Sequence, residues 1–169
     1  MTINEWSDAT AMAEAVQNKT VSPRELVEAT IREAERTNPK INAIVSQRYE
    51  KALKEAETRD FSERPFAGVP IFLKDLGQEQ AGEPSTAGSR LFTSYRATET
   101  DNYVKKLEKL GFIILGRSST PEFGFKNISD AQIHGPVNLP DDVTRNAGGS
   151  SGGAAALISS GISPLAPAS

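Results

Sequence analysis

The amino-acid sequence predicts an α/β fold in which N-terminal helices precede part of a mixed β-sheet that is flanked by helices. Residues 8–59 place apolar side chains at helical spacing. Residues 66–115 follow the order strand, helix, strand, and such a connection joins two parallel strands through a right-handed crossover. A glycine-rich turn at 147–153 then leads into a further apolar helix.

The first two helices have recognisable starts. Residues 8–19 have apolar residues on one helical face. The second helix begins at Ser22, a good N-cap residue that is followed by Pro23 at the first helical position. Glu25 completes a capping box with Ser22. Asn38-Pro39 is predicted to end this helix, because a proline lacks the amide that continues the hydrogen-bond ladder.

A third helix is predicted over 48–59, and a buried strand over 66–73. Pro70 fits such a strand only near its start or at a sheet edge. Lys74 follows the strand directly and allows two interpretations. The local pattern favours a strand that emerges into water at this lysine, and the alternative is a buried amine with a lowered pKa.

The remaining chain alternates between long irregular segments and short regular elements. Residues 76–99 and 117–149 show no period, and irregular segments of such length in a compact domain are usually functional or disordered. Between them, a helix over 100–110 is predicted to end at Gly111, and a strand over 112–115 follows. The predicted core-facing residues of this helix are Tyr103, Val104, Leu107 and Leu110.

The stretch from Ala147 to Ala156 contains four glycines around two adjacent serines, Ser150 and Ser151. Glycine permits positive φ and close backbone approach. A helix over 154–160, stopped by Gly161, would place both serines where the first helical amides point outward. The hydroxyls could therefore be reactive or bind an anion, and the alternative is a helix start that simply packs tightly on a neighbour.

Composition excludes several classes of site. The 169 residues are enough for one domain, and a net charge of −3 with a pI near 5.3 argues against nucleic-acid or anionic-membrane binding. The chain has no cysteine and a single histidine, His134, so we expect no disulfide, metal or cofactor.

Residues 1–8 lack the pattern of a secretory leader, and no apolar run could span a membrane. A cytoplasmic location is therefore expected.

Two motifs resemble those of the amidase signature family. The segment Gly68–Asp75 resembles the lysine motif of these enzymes, and Ala147–Gly153 resembles their glycine- and serine-rich signature. Thr120–Gly124 between them also matches, and the likeness extends over the whole chain. The resemblance implies an incomplete amidase signature fold: one partial domain over 1–169, with a helical lead-in over 1–60 and the start of the α/β core over 61–169.

The same resemblance implies roles for individual residues. Lys74 matches the lysine of the family's catalytic triad, and Ser150 matches the serine that follows a cis peptide bond. The nucleophilic serine and its oxyanion-hole amides belong to a further motif beyond Ser169. Gly124 and Phe125 match a segment that lines the acyl-group pocket, and Ser151 is a third substrate-binding candidate. The alternative for Phe123 and Phe125 is that both anchor their loop to the core.

The residue types suit amide hydrolysis, which needs an activated hydroxyl and a proton for the departing amine. A buried lysine can be neutral and act as the base, since desolvation penalises the ammonium form. A serine hydroxyl both accepts and donates, so Ser150 can relay a proton. The role of Asp75 stays open, because a nearby carboxylate keeps an amine charged. His134 is predicted to be a loop residue with local hydrogen bonds.

We therefore expect the N-terminal part of an amidase, a hydrolase that cleaves the C–N bond of small linear amides without a cofactor. The 169 residues alone should be inactive, and their truncated sheet could self-associate. Two alternatives remain open. One is a glutamine-dependent amidotransferase subunit of the same family. The other is a non-catalytic anion-binding α/β domain, although alanines follow Gly152-Gly153 where a phosphate loop requires lysine and serine or threonine.

Overall fold

A computed structural model describes residues 7–169 of the chain. Residues 1–6, on which much of the predicted absence of a secretory leader rests, lie outside the described residues. The described part contains the helices α1 (Ala9–Gln17), α2 (Pro23–Ile41), α3 (Tyr49–Thr58), α4 (Asn102–Leu110) and α5 (Gly152–Ser159) and the strands β1 (Ile44–Gln47), β2 (Pro70–Lys74) and β3 (Ile113–Ser118). The predicted α/β class is confirmed. No helix among these is long and apolar enough to cross a membrane.

The three strands form one mixed sheet in the order β1-β3-β2. The predicted parallel pairing of β2 with β3 is confirmed, and β1 adds an antiparallel strand that the sequence analysis did not predict. Pro70 is the first residue of β2, where its missing amide is tolerated. In this register Lys74 lies opposite Ser118.

Apolar side chains cover both faces of the sheet. On one face, Phe72 packs with α2, α3 and α5, and on the other Ile71 and Leu73 pack with α1 and α4. Successive side chains of a strand point to opposite faces. Lys74 therefore points to the same face as Phe72, towards α5.

The capping box of α2 is present as predicted, but its predicted end is wrong. The amide of Glu25 donates to Ser22 Oγ (3.2 Å), and the amide of Ser22 donates to the Glu25 carboxylate (2.7 Å). The helix continues through Pro39 to Ile41. Its last turn is held because the Asn42 amide donates to the Asn38 carbonyl (2.8 Å) while Asn42 adopts the left-handed conformation with φ 52°.

Several further boundaries and one core residue differ from the sequence predictions. β2 begins at Pro70 rather than at 66 and includes Lys74. β3 extends past Gly116 to Ser118 because a side chain is missing there: a Cβ on Gly116 would lie only 2.1 Å from the Ser46 carbonyl oxygen of β1. α5 begins at Gly152 rather than at 154. Tyr103 is 49% exposed instead of core-facing, since it lies in the first turn of α4, outside the stripe formed by Val104 and Leu107.

Replacing the α2 cap tests this local account. Ser22→Ala should lower the free energy of unfolding by about 1 kcal/mol, because one amide in the first turn loses its hydrogen-bond acceptor. Urea denaturation followed by circular dichroism measures this change. Ser94→Ala, at an exposed loop serine, is the control and should change stability by less than about 0.5 kcal/mol. Equal stability of both variants would contradict the capping role.

Candidate active site

Lys74 is completely buried at the end of β2. The expectation from the local pattern, a lysine that emerges into water, is wrong because α5 and the segments around it cover this end of the sheet. The Nζ atom donates to Ser150 Oγ (2.9 Å), Ser151 Oγ (3.0 Å) and Ser169 Oγ (2.9 Å). Nζ also donates to the Ser169 main-chain oxygen (3.3 Å). Its side-chain partners within residues 7–169 are thus hydroxyls.

Burial lowers the pKa of Lys74 from its ordinary value of 10.5, because removal from water penalises the charged ammonium form. A hydroxyl partner compensates this penalty less than a carboxylate would. The amine is consequently biased towards the neutral form, which can accept a proton.

The backbone of Lys74 is fixed by two side chains that the sequence analysis did not single out. Its amide donates to Gln78 Oε1 (2.8 Å), and its carbonyl accepts from Arg117 Nη1 (3.0 Å). Burial lowers the pKa of Arg117 as well. Apart from their positions close to the end of a predicted strand, nothing in the sequence indicates that Gln78 and Arg117 contact Lys74.

The Asp75 carboxylate is engaged away from the lysine amine. It accepts the amide of Thr86 (2.9 Å) and also the Thr86 hydroxyl, whose oxygen lies 3.1 Å from His134 Nε2. His134 lies in a loop as predicted, and its amide donates locally to the Ala131 carbonyl (3.0 Å), but the predicted local bonding does not hold for its ring. Its partner comes from a distant loop, since the loops that carry Thr86 and His134 meet at the same end of the sheet.

The glycines of the serine turn are required by close backbone packing. The peptide bond between Gly149 and Ser150 is cis, as the family resemblance implies. A Cβ on Gly149 would lie 2.8 Å from the backbone of Ile128, and one on Gly153 would lie 2.4 Å from the Ser119 amide nitrogen. The alternative of tight packing is thus correct for the glycines, while the serines between them face the lysine.

The first amides of α5 already have acceptors. Gly152 N–H donates to Ser129 Oγ (3.2 Å), and Gly153 N–H donates to the Ser119 carbonyl (3.3 Å). Ser151 occupies the N-cap position, yet its side chain makes no capping hydrogen bond. The Ser151 hydroxyl contacts Lys74 instead, and it also accepts the Ser169 amide (3.1 Å) and donates to the Ser169 carbonyl (3.0 Å).

The structure separates the three candidate substrate-binding residues. Ser151 lies at the lysine, and Gly124 lies close to Ser150, since a Cβ on Gly124 would be 4.0 Å from Ser150 Oγ. Phe125 is 89% exposed, and Phe123 is 38% exposed with an edge-on contact to the Phe92 ring. The alternative that both phenylalanines anchor their loop to the core is therefore wrong for Phe125, whereas Phe123 is about three-fifths covered and packs on a neighbouring ring.

No group of histidine, aspartate and glutamate within residues 7–169 is arranged to hold a metal ion. The fold and the site thus define a class: an α/β protein with a buried lysine that faces a pair of serines on a glycine-rich helix start. A family model described as Amidase matches residues 25–169. The chain belongs to this family, the amidase signature enzymes.

Individual relatives agree with the family assignment. The chain is 40% identical to a lipoamidase of Enterococcus faecalis over 98% of this chain and 23% of that protein. It is 38% identical to a 6-aminohexanoate-cyclic-dimer hydrolase of Paenarthrobacter ureafaciens over 95% of this chain and 32% of that protein. A solved structure of a 6-aminohexanoate cyclic dimer hydrolase superposes with a TM-score of 0.92 at 37% identity, covering 98% of this chain and 34% of that one. The chain thus spans about a third of these relatives or less.

Gly153→Ala should destabilise the protein although alanine favours helices. The propensity gain is about 1 kcal/mol, whereas an overpacked methyl group costs typically about 1–3 kcal/mol and here meets backbone that cannot rotate away. Chemical denaturation of Gly153→Ala and of Ser159→Ala, an exposed control on the same helix, measures the difference. A stabilised Gly153→Ala protein would show that α5 does not pack as described.

Proposed function

We propose that Lys74 and Ser150 form the proton-transfer part of a Ser-cisSer-Lys triad in an enzyme that hydrolyses carboxylic amides. The observation that carries the proposal is the buried Lys74 amine, which lies 2.9 Å from Ser150 Oγ and has a lowered pKa. Membership of the amidase family supports it further. The third member, the nucleophilic serine, would come from the family's further motif beyond Ser169.

In the proposed mechanism the neutral Lys74 amine accepts the proton of the Ser150 hydroxyl. Ser150 in turn takes the proton of the nucleophile as that serine attacks the amide carbonyl carbon. When the C–N bond breaks, the proton returns from Lys74 through Ser150 to the departing amine, and the acyl group stays on the nucleophilic serine. Water then attacks this ester, gives a proton to the serine that leaves, and releases the carboxylic acid. The 2.9 Å separation of Nζ and Oγ lies within the range for direct proton transfer.

We further propose that Gly124, Phe125 and Ser151 contact the substrate. Gly124 is next to Ser150, and the absence of a side chain there leaves room for a carbonyl group. Phe125 offers an exposed ring beside it for an apolar part of a small amide. The identity of this amide is left open.

Of the two alternatives, the anion-binding domain is disfavoured by the helix start itself. An anion at a helix N-terminus needs amides without other acceptors, and those of Gly152 and Gly153 are already bonded to Ser129 and Ser119. The amidotransferase subunit would use the same two residues, Lys74 and Ser150. The reported relatives are named as a lipoamidase and a hydrolase, which favours hydrolysis.

Several finer features stay predictions. These are the division into a helical lead-in over 1–60 and an α/β core start over 61–169, the cytoplasmic location, the absence of nucleic-acid and membrane binding, and self-association of the isolated chain.

Removing the lysine base should abolish hydrolysis in the full-length protein that carries these residues. Lys74→Ala and Ser150→Ala should each lower kcat by roughly a thousandfold or more, since triad members act as a unit. Lys74→Arg should be equally inactive, because a guanidinium cannot lose its proton in proteins. Hydrolysis of an aryl amide, followed as release of the aniline, measures the rate.

The same assay tests the protonation state of the base. Only the neutral amine can accept a proton, so kcat/KM should rise with pH through the pKa of Lys74, which lies below 10.5. The exposed Lys109→Arg variant should behave as the wild type. Normal turnover by Lys74→Arg, or turnover that falls as pH rises through this range, would contradict a lysine base.

The 169 residues expressed alone should neither turn over amides nor react with a serine-directed phosphonate, because by the family resemblance the nucleophile would belong to a motif past Ser169. Mass spectrometry after incubation with the phosphonate, beside the full-length protein, detects labelling. Stoichiometric labelling of Ser151 or Ser169 in the shorter chain would place the nucleophile within it. The proposed roles would then have to be reassigned.

A further inference from the structure

Ser129 is a completely buried serine in the long irregular segment before the glycine turn. Its hydroxyl oxygen accepts the Gly152 amide (3.2 Å) and lies 3.5 Å from the Ser150 carbonyl oxygen, at the long limit for a hydrogen bond. One hydroxyl thus contacts the backbone on both sides of Ser151. No role for this residue follows from the proposed triad.

Ser129 satisfies the first amide of α5, that of Gly152, which the side chain of the N-cap residue does not normally accept. A serine at the N-cap usually uses its own oxygen to accept an amide of the first turn. Ser151 holds this position in α5 but makes no such bond, and its oxygen instead accepts from Lys74 Nζ (3.0 Å). The Gly153 amide, which an N-cap hydroxyl could accept, donates instead to the Ser119 carbonyl (3.3 Å). The Ser151 oxygen accepts from Lys74 and from the Ser169 amide (3.1 Å).

Ser129 can approach the Gly152 amide this closely only because residue 152 has no side chain. A Cβ on Gly152 would lie 2.5 Å from Ser129 Oγ and 3.0 Å from Ser129 Cβ. The close approach of Ser129 therefore accounts for the glycine at 152.

A second residue holds Ser129 in place. Asn146 donates through Nδ2 to the Ser129 carbonyl (2.9 Å), and Asn146 Oδ1 accepts the amides of Ser129 (3.3 Å) and Gly148 (2.8 Å). The Ser129 amide also lies 2.8 Å from the Gly148 carbonyl. Asn146 thus links Ser129 to the beginning of the same glycine turn.

We infer that Ser129 is a positioning residue of the active site: its hydroxyl caps the first amide of α5, that of Gly152, holds the backbone on both sides of Ser151, and thereby keeps both serine hydroxyls directed at Lys74. The catalytic consequence rests on the proposed amide hydrolysis. The capping itself is a property of the fold and can be measured without any activity.

The catalytic test compares Ser129→Ala, Ser129→Thr and Ser129→Val in the full-length protein. Threonine and valine have the same shape, so their difference isolates the hydroxyl. Ser129→Ala and Ser129→Val should lower kcat by about tenfold or more with KM little changed, and Ser129→Thr should exceed Ser129→Val in kcat by a similar factor. Equal kcat for the threonine and valine variants, with Ser129→Ala at the wild-type rate, would overturn the inference.

Hydrogen exchange provides the measurement that is independent of activity. In Ser129→Ala the amides of residues 152–154 should exchange about tenfold faster than in the wild type, while the amides of α2 should be unchanged. Ser159→Ala is the control on the same helix. Unchanged exchange at 152–154 would refute the capping role.

Lys74→Ala, assayed in parallel, separates the two proposals. Full activity in Lys74→Ala would refute the proposed function while leaving the exchange result to decide the role of Ser129. An inactive Lys74→Ala together with a fully active Ser129→Ala, folded to the same extent as the wild type, would refute only the positioning role.

Discussion

The site depends on the contact between the first turn of α5 and the chain segment that leaves β3. Gly153 lies against the Ser119 backbone, and its amide donates to the Ser119 carbonyl. Because β3 pairs in parallel with β2, this contact places the start of α5 over the end of β2, where Lys74 is buried. A side chain at position 153 would push the helix away from Ser119. The short distances from Lys74 Nζ to the two serine hydroxyls therefore depend on glycine at this position.

A second constraint is electrostatic. A buried amine is a base only when its partners do not stabilise the ammonium form strongly, and Lys74 has hydroxyl partners while the adjacent Asp75 is bound to Thr86. The direction of the Asp75 carboxylate therefore matters as much as its presence. Sequence adjacency of an acid and a lysine does not by itself make an ion pair.

Much of the architecture was predictable because it depends on local chemistry. The capping box at Ser22 and the order of strand, helix and strand are properties of neighbouring residues, and both are present in the structure. Boundaries were less predictable where a distant segment decides them. α2 continues past Pro39 because Asn42 completes its last turn, and β3 continues past Gly116 because β1 lies against it.

The sequence by itself determined the family, through the motifs around Lys74 and Ser150, and with it the two residues on which the proposed chemistry rests. Only the tertiary structure decided that Lys74 is buried, that Asp75 and His134 meet at Thr86, and that Ser129 accepts the Gly152 amide. The physical reason is that burial and hydrogen-bond partners depend on segments far apart in the chain. A local sequence pattern indicates which residues can be buried or can form hydrogen bonds. The packing of distant segments determines which partner each of these residues contacts.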